Sequence, residues 1–178
     1  MDRTSHVRHM ARYNQWMNEK IYEAAGTLSA EALNLDRKAF FGSIMGTLNH
    51  LMVADTVWLK RFAMHPSAYA VLEPVRQLPF PAALGEPLFT DFAELRAQRA
   101  RFDELIIVFA DSIPDADLDC ALAYSSFKGV PSRRIFFSLL MHFFNHQTHH
   151  RGQVTTLLSQ EGIDVGATDL LLLVPEEP

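Results

Sequence analysis

An all-α fold is what this sequence predicts, a four-helix bundle with a long proline-rich crossover between helices 2 and 3. Three observations predict it. Four stretches repeat apolar residues at helical spacing, five of the nine prolines crowd into residues 65–88, and no internal repeat or low-complexity segment interrupts them. At 178 residues and 48% hydrophobic, the chain has enough apolar surface for one core, so a single domain over residues 1–178 is expected.

Val7, Met10, Tyr13, Met17, Ile21, Ala24 and Leu28 mark the first helix, and Gly26 offers its stop. Ser29 and Glu31 suit a turn of helix before the chain reaches Phe40 and Phe41. Ser43 is a good N-cap for the second helix, SIMGTLNHLMVADTVWLKRF, with Ile44, Leu48, Leu51, Trp58, Leu59 and Phe62 among its apolar residues. Pro66, Pro74, Pro79, Pro81 and Pro87 then remove backbone donors, so no regular helix is expected through 65–88. Asp91, followed three places later by Glu94, caps a third helix marked by Phe92, Leu95, Phe102, Ile106 and Phe109 and ending near Pro114. Brief alternation around Ala121–Tyr124 suggests an extended segment or small hairpin. The fourth helix is placed from Pro131 or Ser132 to Glu161, with Gly162 beyond its end. The apolar run in the tail is too short to span a membrane and suits a last turn or strand.

Charge and composition narrow the function classes. A net charge of -5 leaves no basic surplus for phosphate contacts, so nucleic acid is not an expected partner. The polar, charge-interrupted N-terminus resembles neither a signal peptide nor a spanning helix, and a cytoplasmic location is expected, with no membrane partner. One cysteine, Cys120, excludes an internal disulfide, and its setting in DADLDCALAY disfavours a thiolate nucleophile.

Four of the eight histidines fall within HFFNHQTHHRGQ, residues 142–153. On a helical wheel His142 and His150 lie about 40° to either side of His146, and Ile135, Leu139, Gln153 and Leu157 share that stripe. His149 sits at its margin, about 60° away. Histidines four apart on a helix can reach one ion, so His146 and His150 make a two-ligand base. The second helix offers His50 as a third, with small neighbours Gly46, Thr47 and Ala54 that leave room for a facing helix or an ion. On spacing alone, a metal site and a hydrogen-bonded cluster of core imidazoles both stand. A zincin mechanism does not, because HQTHH carries Gln147 where a zinc peptidase has its glutamate base.

LNHLMVADTVWLKRF, HFFNHQTHHRGQVTTLL and the closing GATDLLLL resemble the DinB family, also called the DinB/YfiT-like metalloenzymes, over nearly the whole chain. The resemblance implies a four-helix bundle with a long crossover, commonly a homodimer, holding nickel or zinc on three histidines that fall here on His50, His146 and His150. Relatives in the wider superfamily transfer or isomerise with a low-molecular-weight thiol. The family name refers to induction by DNA damage, a matter of regulation and not of DNA binding.

The expected function is therefore a metal-dependent transferase that acts on a small molecule with a low-molecular-weight thiol. A metal-dependent hydrolase and a non-enzymatic, metal-stabilised stress or interaction module are the alternatives. His142, His149, Asp55 and Arg151 are candidates without an assigned role. Asp55 lies on an apolar face and needs a partner, for which a ligand imidazole, Tyr13, Arg12 or Arg151 is available. Arg151 suits an anionic substrate, Asp169 or a surface salt bridge, and Gln153 is equally open. The pocket wall is expected from the crossover and from Tyr124–Val130.

Overall fold

Each of the first three long helices begins where a short polar side chain takes up a free backbone N–H. The computed structural model describes residues 1–176. Asp2 caps α1 (Arg3–Ala25), accepting from Ser5 N at 2.7 Å. Ser29 caps the short α2 (Ala30–Asn34), and Ser43 caps α3 (Ile44–Phe62) through Gly46 N. A 3-10 turn at Ala70–Leu72 leads into α4 (Glu73–Arg76), and Asp91 caps α5 (Phe92–Ser112) through Glu94 N at 2.9 Å. After a 3-10 turn at Asp115–Asp119, strands β1 (Ala121–Ser125) and β2 (Pro131–Ile135) pair antiparallel, with Ala121 opposite Ile135 and Ser125 opposite Pro131. Next comes α6 (Phe136–Gln160), and Leu170–Leu173 form a last 3-10 turn. The molecule is thus mostly helical, with one small sheet. Among the described residues no helix is long and apolar enough to cross a membrane.

The structure differs from the sequence reading in two segments. The fourth long helix starts at Phe136, not at Pro131 or Ser132. Ser126 N donates to Val130 O, Ser126 Oγ accepts from the N–H groups of Lys128 and Val130, and Gly129 adopts φ +74 to close the turn. That closure commits 131–135 to the strand, and Phe136 N donates to Cys120 O in place of a side-chain cap. Ile135, placed on the core stripe from sequence, is accordingly exposed. Within the crossover, α4 forms despite Pro74, which sits in its first turn, where a missing N–H costs nothing.

Packing explains which faces are apolar. Helix α1 lies against α5 and α6, and α3 lies against α6 and, more sparsely, α5. Leu48, Leu51, Leu59, Phe62, Ile106, Phe136 and Leu158 are buried in the shared core. Inside it runs a polar network contributed by all four long helices. Arg99 of α5 donates to Asp55 of α3 at 2.5 Å and pairs with Asp103 at 2.9 Å. Asn14 and Asn18 of α1 donate to Asp103 at 3.0 and 2.8 Å, and Arg151 of α6 donates to Asn14 and Gln147. Two aspartates and two arginines balance in charge, and all four are buried.

Removing one member strands the others, since the cost falls on the charge left behind. Arg99→Met is expected to lower stability by about 3–5 kcal/mol in urea unfolding at pH 7. A loss under about 1 kcal/mol would place the pair in the class of exposed salt bridges and contradict the network.

Candidate metal centre

Helix α6 sets His146 and His150 one turn apart, with ring centroids at 4.4 Å, and α3 presents His50 across from them. His50 Nε2 lies 3.2 Å from His146 Nε2 and 3.2 Å from His150 Nε2. One donor nitrogen from each residue falls within 4.8 Å of the other two. His50 and His150 are buried and His146 is half-buried. Nitrogens at about 2.0–2.1 Å from a common ion, at tetrahedral or octahedral angles, stand roughly 2.8–3.4 Å apart, so the spacing fits a divalent cation.

The hydrogen bonds behind the rings determine which atoms face inward. His50 Nδ1 is 2.7 Å from Leu84 O, and a carbonyl only accepts, so Nδ1 carries the proton. His150 Nδ1 donates to Gln153 Oε1 at 2.8 Å. Gln153 is oriented in turn by His149, whose Nε2 accepts from the amide nitrogen at 3.3 Å. Neutral His50 and His150 therefore point two lone pairs at one another. A proton or a metal ion must lie between such acceptors. Burial excludes the proton at neutral pH, since it lowers His50 from 6.5 to about 4 and His146 to about 3, and lowers His150 as well. The three imidazoles could hold a metal ion.

Two neighbouring segments close over the triad. Phe41 stacks on the His50 ring at 3.8 Å and 16°, and meets His150 edge-on at 5.5 Å. A Cβ at position 46 would stand 2.1 Å from Phe41 O, so Gly46 permits the approach that brings this ring over the site. The crossover is tied down by Leu84 and by Asn49, which donates to Phe89 O and accepts from Phe89 N.

The other candidates lie elsewhere. His142 is exposed, packing on Trp58 at 5.0 Å and 6.1 Å from His146. Asp55 finds Arg99, which the sequence reading did not weigh, and not a ligand imidazole, Tyr13, Arg12 or Arg151. Arg151 is no surface salt bridge: it is buried over the Tyr13 ring, while Asp169 is exposed. Gln147 is fully buried and accepts from Arg151, on the side of α6 away from the triad. A second group, His65, Asp117 and Cys120, also comes within 4.8 Å. Two of its members are engaged in hydrogen bonds, since Ser67 N donates to His65 Nδ1 and Tyr69 OH donates to Asp117 at 2.5 Å. Phe41 and the Leu84 carbonyl had no signal in the sequence, because each reaches the site by a long-range contact.

The lowered imidazole pKa values give the metal-free protein a definite pH dependence. The unfolded chain takes up protons near 6.5 that the folded triad refuses, so stability is full above that pH and falls as pH drops from 6.5 toward 4. Urea midpoints of metal-free wild type are expected to fall between pH 7.5 and 5, and to fall less for His146→Ala. Parallel declines in the two proteins would rule out the triad as the source.

The DinB family model matches residues 1–177. Protein DinB of Bacillus subtilis (strain 168) is 25% identical over 159 residues, covering 88% of this chain and 87% of that protein. No solved structure matches. With helices, triad and family match extending over the same residues, the chain belongs to the DinB family.

Proposed function

We propose that His50, His146 and His150 hold one divalent ion, nickel or zinc, and that the protein transfers a low-molecular-weight thiol to a small electrophilic substrate. The observation that carries this reading is the 3.2 Å approach of His50 Nε2 and His150 Nε2 while both Nδ1 atoms donate elsewhere. Three neutral nitrogens leave positions for other donors, which suits catalysis better than a closed structural site. An ion bound there would lower the pKa of an incoming thiol and hold it as a nucleophilic thiolate.

The chain's own residues supply the rest. Leu84 O and Gln153 hold the tautomers that turn Nε2 inward, and Phe41 shields one face of His50 from water. Among the described residues no carboxylate hydrogen-bonds to any of the three imidazoles, which favours a thiol nucleophile over a hydrolysis that needs a nearby base. In this reading the four long helices and the connection from α3 to α5 are a four-helix bundle with a proline-rich crossover, one domain over residues 1–178. The active form is a homodimer, a reading supported by the exposed Leu171 and Leu172 of the tail.

Elemental analysis of untagged protein is expected to find about one nickel or zinc ion per chain, lost in His50→Ala, His146→Ala and His150→Ala. The cobalt-substituted protein is expected to gain thiolate-to-metal charge-transfer absorption when glutathione is added. Metal binding without that absorption for any thiol would move the assignment to hydrolysis. Failure to take up any metal on titration would overturn the site.

A further inference from the structure

Arg61 is eleven residues beyond His50 on α3, about three turns, so the two share one stripe about 16 Å apart along the axis. Its side chain is unusual for a cation. It is 8% exposed, yet it has no salt bridge to any described carboxylate. The guanidinium packs against two touching rings, 4.6 Å from the centroid of Trp58 and 4.9 Å from that of Tyr124. Nη2 donates to Ser125 O at 2.8 Å, while Nε and Nη1 donate to no described residue. The side chain is enclosed while its free donors open on the adjoining cleft, and partial burial lowers its pKa from the ordinary arginine value.

Beside it opens a cleft of about 590 Å³ whose lining includes Arg61, Met64, Phe80, Tyr124, Ser126 and Ser132, and no acidic residue. Between the cleft and the metal centre lies a run of packed rings: Tyr124 on Trp58 at 5.4 Å, Trp58 on His142 at 5.0 Å, and His142 on His146 at 6.1 Å.

We propose that Arg61 is the carboxylate-binding residue of this cleft, receiving the acid end of a small molecule whose body lies along Tyr124 and the apolar rim. This carboxylate site does not depend on the metal-dependent function. Contact with the two rings restrains the guanidinium, and the second N–H of Nη2, beside the free N–H of Nη1 or Nε, completes a fork that matches one carboxylate. One guanidinium balances one carboxylate charge, and the apolar rim of Met64 and Phe80 suits an aliphatic or aromatic acid.

The test is an NMR titration of the full chain at low salt with 3-phenylpropionate and, separately, with 3-phenylpropionamide. The acid is expected to bind about tenfold more tightly or better, with shifts centred on Arg61, Tyr124 and Ser125. Arg61→Met is expected to lose that preference and Arg61→Lys to retain part of it. His50→Ala, which removes a triad imidazole, is expected to keep it, so failure of the metal reading and failure of this one are distinguishable. Equal binding of acid and amide by wild type, binding of neither, or an undiminished preference in a folded Arg61→Met would overturn the proposal. The wild-type comparison stands even if that variant does not fold.

Discussion

The register of α6 against α3 is the constraint on which the centre depends, because His50 on one helix must meet His146 and His150 on the other. Apolar packing alone specifies that register loosely, since neighbouring leucines are nearly interchangeable. The buried network specifies it tightly. Gln147 and Arg151 follow His146 and His150 by one residue each, and Arg151 reaches Asn14 of α1 across the core. Asn14 and Asn18 continue to Asp103, and Arg99 joins Asp103 to Asp55 on α3. A slip of one turn would leave charged groups unpaired in the interior, a penalty that a shift of leucines does not carry.

Order at the triad is then completed by segments that are not regular helices. Leu84 in the crossover and Phe41 before α3 contribute one backbone carbonyl and one ring, and each acts on an imidazole already placed by a long helix. Gly46 admits the second of these, since the same first turn of α3 that carries the Ser43 cap gives way to the Phe41 carbonyl. His149 has a quieter part. Exposed and outside the triad, it orients Gln153, which orients His150.

Much of this is written locally in the sequence. The caps Ser29, Ser43 and Asp91 act on residues three places away, and the apolar spacing of α1, α3 and α5 reflects which face meets the core. The pair His146 and His150, with His50 on another helix, could be singled out because histidines are costly to bury together. What was not legible depends on partners distant in sequence. Asp55 was readable as needing a counter-ion, but Arg99 lies 44 positions away on a helix face read as apolar. The strand at 131–135 is made by pairing with 121–125, and its own residues carry no alternation that reveals it. Arg61 was hidden for the same reason: the charge looks ordinary until Trp58 and Tyr124 enclose it.

Helix α6 and its neighbours thus separate two kinds of buried polarity. Toward α1 and α5, Asp55, Asp103, Arg99 and Arg151 sum to zero charge and are linked by hydrogen bonds and ion pairs, so the charges close within the chain. Along the stripe shared by His50 and Arg61, the sum does not close. The lone pairs of His50 and His150 face each other beside His146, and one guanidinium faces a cleft with no acidic residue in its lining. Unbalanced polarity is unfavourable for the fold taken alone, and a ligand that offsets it stabilises the folded chain. The signs of the two imbalances are opposite, a deficit of positive charge at the triad and an excess at Arg61. The metal ion and the small acid proposed for the two places would offset one each.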